Sequence, residues 1–371
     1  MAPRTSGDGA PVPKFHEAPQ RASDERLFRR RQAESSGAAK PHCVVSPLRM
    51  LGLALLAACA CACSLLVGGS VIAPAAVFAA LLHPHAHGDV AIIVWQLRLP
   101  RVVIAATVGA SLAIGGALLQ GMLRNPLVDP YLTGVSAGAA AAISLSILAG
   151  VAAPVLPALG FIAGLGTAVL VAALARRGSG IDPQRLILAG ISISALFSAI
   201  VAFAIARANS LDAAQSILGW LAGSMAGRGW HDLFEAAPYV AGGLVLAMFS
   251  APALDALRIG DVRARAVGLD VDRAQWLIVA ATSLLAAAAV ALAGMVGFLG
   301  LIVPHVARRL VGSQARLLLP ACFFLGATLC TAADAVARTI VAPSELPIGV
   351  LLAFIGVPAF LYLYLRSENT A

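Results

Sequence analysis

Long apolar segments occupy most of this chain, and they constrain its fold more than any other feature. After residue 46, about ten segments approach or reach the ~20 apolar residues that a helix needs to cross a bilayer. The segments are Pro47–Ile72, Arg101–Leu123, Leu132–Leu148, Val155–Ala175, Leu186–Ala206, Ala236–Ala256, Ala274–Ala293, Val296–Val311, Leu317–Ala337 and Pro347–Leu365. Because backbone groups in lipid must be satisfied internally, these segments predict an all-α polytopic membrane protein.

The placement of charge excludes a water-soluble protein of this length. The chain has 26 basic and 18 acidic residues, 12% in total, against about 25% in an average soluble protein. The first 46 residues hold 13 of these charges, so the following 325 residues have few. Residues 1–46 are rich in Ser, Pro, Gly, Ala and Arg, without a periodic apolar face. We therefore expect a disordered cytoplasmic arm at 1–46 and a transmembrane domain at 47–371.

Arginines indicate the orientation of the chain in the membrane. If the N-terminus is cytoplasmic, thirteen arginines after residue 46 fall at inner ends of the segments and five at outer ends. Basic loops stay in the cytoplasm, so we expect a multi-pass protein of the cell inner (plasma) membrane with both termini cytoplasmic. The same rule explains the net charge of +8, and no nucleic-acid partner is expected. Arg29–Arg31 and Arg49 either contact anionic membrane lipids or only fix topology.

The sequence offers no energy source for active transport. The only lysines are Lys14 and Lys40, and neither fits the Gly-x-x-x-x-Gly-Lys loop of an ATPase. Ionisable groups inside the segments are few, chiefly Asp334, with Asp129 and Glu345 near segment ends. This scarcity disfavours a proton-coupled exporter. The clustered ligands of a membrane-embedded enzyme are also missing, so we expect no catalytic residue, metal site or cofactor in this chain. ATP-driven work would have to come from a separate subunit.

Residues 254–269, between the sixth and seventh segments, predict two short amphipathic helices along the membrane surface. Glycines interrupt and end helices, and here they predict a break at Gly260 and an end near Gly268. Leu254 and Leu257 would form an apolar edge. Such a pair either enters a partner's cleft and transmits its motion, or is only an interfacial connector. The candidate coupling residues are Leu254, Leu257, Gly260, Ala264, Arg265, Gly268 and Leu269.

Several motifs in a fixed order resemble the FecCD family, the permease subunits of ABC importers for ferric siderophores, heme and cobalamin. Besides the 254–269 segment, they are Leu97–Arg101, Gly109–Ala113, Gln120, Arg124–Pro130, Gly134–Ala139, Gly297–His305 with Arg308, Asp334, Arg338 and Glu345–Gly349. The resemblance implies a type II ABC importer permease of ten helices that forms a homodimer. Two ABC ATPase subunits would bind ATP and Mg below it. A periplasmic or lipid-anchored substrate-binding protein would cap it above.

The resemblance also implies a role for three arginines at the outer ends of the segments. Arg98, Arg101 and Arg338 match positions where the family's arginines meet acidic residues of the binding protein. Complementary charges of this kind set register and association rate. The alternative is that these side chains reach lipid phosphates.

A further set of residues is expected to shape broken backbone inside the bundle. Prolines interrupt the main-chain hydrogen bonds, and protein or a water-filled cavity must then satisfy the freed groups. Asn125 is the expected partner for freed carbonyls. His305 is expected to be structural, because no second ligand lies at metal-site spacing. The set consists of Gln120, Asn125, Pro126, Pro130, Pro304, His305 and Pro347.

The cargo is the least constrained feature. The cobalamin permeases of the family carry small hydroxyl residues where this chain has Pro183 and Gln184, so the expected cargo is a ferric siderophore or heme, with cobalamin as the alternative. Three polar residues of the fifth segment either line the pathway or bond back to their own helix; they are Ser192, Ser194 and Ser198. Three histidines of the first outer loop either contact heme or a metal or are simply solvated; they are His83, His85 and His87.

Overall fold

The computed structural model describes residues 47–68, 72–83, 88–178, 180–342 and 344–368. The predicted arm at 1–46 and two of the loop histidines, His85 and His87, lie outside these ranges. Residues 45–371 belong to one compact unit. Its described part is almost entirely helical, which confirms the all-α prediction.

Fifteen α-helices follow one another in the described residues. They are α1 (Pro47–Leu66), α2 (Pro74–Leu82), α3 (Asp89–Ile92), α4 (Leu99–Leu123), α5 (Val135–Leu148), α6 (Leu156–Leu174), α7 (Pro183–Ala206), α8 (Leu211–Ala222), α9 (Trp230–Phe249), α10 (Ala251–Arg258), α11 (Asp261–Ala266), α12 (Val271–Ala293), α13 (Leu299–Val311), α14 (Ala315–Ala337) and α15 (Ile348–Glu368). A π-helical stretch, Ile93–Arg98, joins α3 to α4, and 3-10 turns form at Pro130–Thr133 and Ala153–Val155. Two short antiparallel strands, β1 (Arg176–Arg177) and β2 (Gly180–Ile181), form a hairpin in which Arg176 pairs with Ile181.

Seven helical stretches in the described residues are long and apolar enough to cross a membrane. They are Pro47–Leu66, Asp89–Leu123, Ala153–Leu174, Pro183–Ala206, Trp230–Phe249, Val271–Ala293 and Ala315–Ala337. The remaining three predicted segments contain α5, α13 and α15, and of α15 the apolar stretch is Ile348–Leu361. The sixth segment extends too far, because α9 ends at Phe249 and Ser250 separates it from α10. Two further helices, α2 and α8, are not among the predicted segments, because each is too short to cross a membrane.

Helix α4 lies at the centre of the bundle. Every residue from Val108 to Leu123 is buried, and α4 packs against α14, α12 and α13. Glycines allow these contacts: a Cβ on Gly116 would overlap the backbone of Gly300 in α13, and one on Gly109 would overlap Gly326 in α14. Backbone-to-backbone packing of small residues is how membrane helices associate without help from water exclusion.

Helices α1 and α7 lie at the periphery and expose apolar side chains. Leu51 and Leu55 on α1, and Leu188 and Leu196 on α7, are each about half exposed or more. An exposed apolar surface of this extent is costly in water and is suited to lipid or to another protein chain. The distribution is therefore that of a membrane bundle, in which a small-residue core is surrounded by a large-residue surface.

Candidate functional site

The segment between α9 and α12 forms the two predicted short helices, α10 and α11, separated at Gly260. Gly260 has a φ of 108° and Gly268 a φ of 85°, backbone conformations that favour glycine. The apolar edge that Leu254 and Leu257 form faces the bundle. Both are 0% exposed, and Leu254 Cδ1 lies 2.6 Å from where a Cβ on Gly121 would stand. Leu254 packs α10 against α4 because Gly121 leaves room for it.

Polar contacts tie this α10–α11 segment to three other helices. Arg124, at the end of α4, forms an ion pair of 3.0 Å with Asp261. Asp255 Oδ1 accepts a 2.8 Å hydrogen bond from the Ala315 backbone N–H at the start of α14. Arg258 donates to the carbonyl of Ser313, just beyond α13. The segment is thus attached to the ends of α4, α13 and α14, which together form what we call the α10–α11 end of the bundle.

The outward side of the segment carries three exposed apolar side chains that were not identified from the sequence, beside the exposed Arg263 and Arg265. Ile259, Val262 and Val267 are 54%, 81% and 70% exposed. Ala264, between them in sequence, is completely buried. Within α11, Val262 lies two residues from the buried Ala264, so the helical period places it on the opposite side. Arg265 and Gly268 are also exposed, and Leu269 is half-buried.

The start of α7 lies at the same end and is capped by a carboxylate. Asp182 accepts hydrogen bonds from the backbone N–H groups of Gln184 (2.9 Å) and Arg185 (3.2 Å). The bond from Arg185, followed by that from Gln184 and by the guanidinium of Arg177, lowers the pKa of Asp182. This cap positions Pro183 as the first residue of α7, where a missing N–H costs nothing.

The opposite end of the bundle contains a cluster of four charges: Arg101, Asp334, Arg338 and Glu345. Arg101 lies 3.0 Å from Asp334 and 2.9 Å from Glu345. Arg338 lies 3.1 Å from Asp334 and also donates a 2.6 Å hydrogen bond to Ser64 Oγ in α1. Two positive and two negative groups balance one another here. Asp334, only 1% exposed, is therefore the counter-ion of two arginines.

Arg98, the third arginine expected to meet a binding protein, is also buried. Its Nη1 donates to the carbonyl of Leu65 at 2.9 Å. All three arginines thus hold α1, α4 and α14 together, and their docking role stays a prediction. Arg98, Arg101, Arg338 and Glu345 also line a cavity of about 360 Å³ that opens at this end.

A junction of broken backbone lies near the C-terminal end of α4. The Gly300 carbonyl would normally accept the N–H of residue 304, but Pro304 has none. Gln120 Nε2 donates to this carbonyl at 2.8 Å and to the Val128 carbonyl at 3.1 Å. The expectation that Asn125 satisfies freed carbonyls is wrong, because its side chain accepts the Leu127 N–H at 2.9 Å instead.

The other prolines of the set mark the edges of loops. Pro130 begins a 3-10 turn and packs against Gly115 and Gly300, so the loop after α4 folds back into the bundle. Pro126 lies in the preceding turn and is exposed. Pro347 accepts the Val350 N–H at 3.1 Å as α15 begins. A loop inside the bundle is tolerated because protein groups satisfy its backbone hydrogen bonds.

The candidate ligand residues do not come together. His305 Nε2 is buried without a hydrogen-bond partner, and no group of three His, Cys, Asp or Glu side chains occurs within the described ranges. Ser198 donates to the Ser194 carbonyl at 2.8 Å, so it bonds back to its own helix. Ser192 and His83 are exposed.

A known protein family matches most of the chain. The FecCD transport family matches residues 55–366. The chain is 41% identical over 282 residues to the cobalamin import system permease protein BtuC of Halobacterium salinarum, covering 76% of this chain and 75% of that protein. It is 38% identical to the hemin transport system permease protein HmuU of Yersinia pestis, covering 74% and 84%.

A solved structure is also similar. It is described as an inward-facing conformation of a metal-chelate type ABC transporter, with 33% identity and a TM-score of 0.78. The match covers 86% of this chain and 99% of that one. With the match to residues 55–366, these similarities show that the chain belongs to the FecCD transport family.

Proposed function

We propose that this chain is the membrane-spanning permease subunit of an ATP-driven importer that carries a bulky iron chelate, a ferric siderophore or heme. Membership of the FecCD family supports a transport role, and the relatives are named as permeases for cobalamin and hemin. The chain supplies the path, and a separate ABC ATPase supplies the energy, because neither Lys14 nor Lys40 fits a phosphate-binding loop.

The observation that carries the proposal is the exposed apolar face of the α10–α11 segment. Ile259, Val262 and Val267 are apolar and turned away from the bundle, while the other side of the segment is fastened to it. A surface that is attached to the bundle in this way can transmit a force that a partner protein applies to it. ATP-driven closure of two ATPase subunits would displace the segment and shift the population from outward-open to inward-open packing.

The remaining partners and the orientation belong to the same proposal. The permease acts as a homodimer in the inner membrane, with the α10–α11 end in the cytoplasm and the four-charge cluster facing outward. The substrate-binding protein docks at the outer end near Arg98, Arg101 and Arg338. Arg101 and Arg338 already have carboxylate partners within the chain, so acidic groups of the binding protein would compete with Asp334 and Glu345 for them. For Arg98 they would compete with the Leu65 carbonyl.

Transport by reconstituted vesicles tests the function. Proteoliposomes that contain this chain and the P-loop ATPase encoded nearest its gene, with the neighbouring solute-binding protein added, should import labelled heme or ferric siderophore only when ATP is present. Uptake of cobalamin alone would favour the alternative cargo. Uptake of any cargo by the chain without the ATPase would refute the proposal.

A variant of the exposed face tests the coupling surface. Val262→Asp should abolish ATP-dependent uptake, because a charge is desolvated where an apolar side chain was buried against the partner. Val262→Leu should retain uptake. Gln314→Glu, which adds a charge at an exposed position at the same end, is the matched control and should import as the unmodified chain does. Normal uptake by Val262→Asp would show that the ATPase binds elsewhere.

A further inference from the structure

The side chain of Gln120 is held at both polar ends. Arg308 Nη2 donates a 2.7 Å hydrogen bond to Gln120 Oε1. A guanidinium has only donors, so the amide oxygen must face it and the amide nitrogen must face the carbonyls of Gly300 and Val128. Gln120 is 3% exposed, which leaves little water to compete for these bonds. A single side chain of α4 thus has one fixed orientation.

The two attachments to α13 lie on either side of its proline. Gly300 is four residues before Pro304 and Arg308 is four residues after it. A proline removes a backbone hydrogen bond, and helices bend at such points more readily than elsewhere. Gln120 therefore contacts α13 on both sides of Pro304, where the helix bends most readily. It attaches the stretch before the proline and the stretch after it, the two arms of α13, to α4.

The same turn of α4 receives the α10–α11 segment. Leu254 packs on Gly121, the residue next to Gln120, with 2.6 Å between Leu254 Cδ1 and the place of a Cβ on the glycine. Arg124, one turn further, pairs with Asp261 of α11. A displacement of the segment would act on α4 at the point where Gln120 leaves it.

We propose that Gln120 and Arg308 are positioning residues that transmit movement of the α10–α11 segment to α13. The inference rests on the proposed function, because the ATPase is the source of that movement. It adds a specific route. The segment moves the end of α4, and Gln120 transfers this movement from α4 to α13. Arg308 and the Gly300 carbonyl receive it in the two arms of α13.

The competing explanation is that Gln120 only satisfies the carbonyl that Pro304 leaves free. Arg308→Met separates the two explanations, since it leaves the Gln120–Gly300 bond in place and removes only the link to the second arm. We expect the number of cargo molecules imported per ATP hydrolysed to fall by about fivefold in Arg308→Met. Arg309→Met is the matched control: this neighbouring arginine is exposed, and the ratio should be that of the unmodified transporter.

Gln120→Met should lower the same ratio, and the double variant should be no worse than the lower of the two single variants, because both break one route. An unchanged ratio in Arg308→Met, or losses that multiply in the double variant, would overturn the inference. If Gln120→Met does not assemble, Arg308→Met alone decides. Failure of the proposed function looks different, because the unmodified transporter would then import nothing.

Discussion

Neutralising Asp334 is expected to be the most damaging single change at the end of the bundle opposite the α10–α11 segment. Its carboxylate is 1% exposed and forms ion pairs with Arg101 at 3.0 Å and with Arg338 at 3.1 Å. In Asp334→Asn, Arg101 keeps Glu345 at 2.9 Å, but Arg338, 4% exposed, loses its carboxylate. Removing one member of a buried pair costs about 3–5 kcal/mol, so we expect the free energy of unfolding to fall by about 3 kcal/mol.

The measurement is unfolding of the purified protein in mixed micelles, followed by tryptophan fluorescence. Asp334→Asn/Arg338→Met removes both charges, and we expect it to regain about 1–3 kcal/mol relative to the sum of the single variants. The matched control is Glu345→Gln, which neutralises a carboxylate 40% exposed and should cost less than about 1 kcal/mol. A loss below about 1 kcal/mol in Asp334→Asn, or no recovery in the double variant, would show that the cluster is not an electrostatic unit.

Three other predictions concern packing, the hairpin and the coupling segment. Gly116→Val should destabilise the bundle by about 1–3 kcal/mol, because the new side chain would overlap the Gly300 backbone; Gly52→Ala, which meets open space, should be neutral or better in the same unfolding assay. The lowered pKa of Asp182 means that its charged form stabilises the fold above the unfolded-state pKa, and that this contribution disappears as pH falls through the lower folded-state pKa. The melting-temperature difference between the unmodified chain and Asp182→Asn should therefore shrink from pH 7 to pH 3, and a constant difference would contradict the role of charge. Asp261→Asn breaks a partly exposed pair and should cost less than about 1 kcal/mol of stability, so a large loss would mean that the pair is shielded from water.

The sequence determined the class of protein and the local elements. Apolar segments too long and too poor in charge for a soluble surface dictated a membrane bundle, because lipid leaves the backbone no other way to satisfy its hydrogen bonds. Gly260 dictated the break between α10 and α11, since its φ of 108° is open to glycine. Pro304 dictated that one carbonyl in α13 would lack a helical partner. These features depend on neighbours in sequence and could be predicted from it.

Only the tertiary structure decided which partners meet. Leu254 and Leu257 have the same apolar character whether they face a partner or the bundle, and the packing of α10 on Gly121 turned them inward. The carbonyl freed by Pro304 could have met any nearby donor, and the crossing of α4 and α13 selected Gln120, 180 positions away, over Asn125. Asp334 meets Arg101 across 233 positions for the same reason. Such contacts depend on the distance between helices in space, which the order of residues along one helix does not specify.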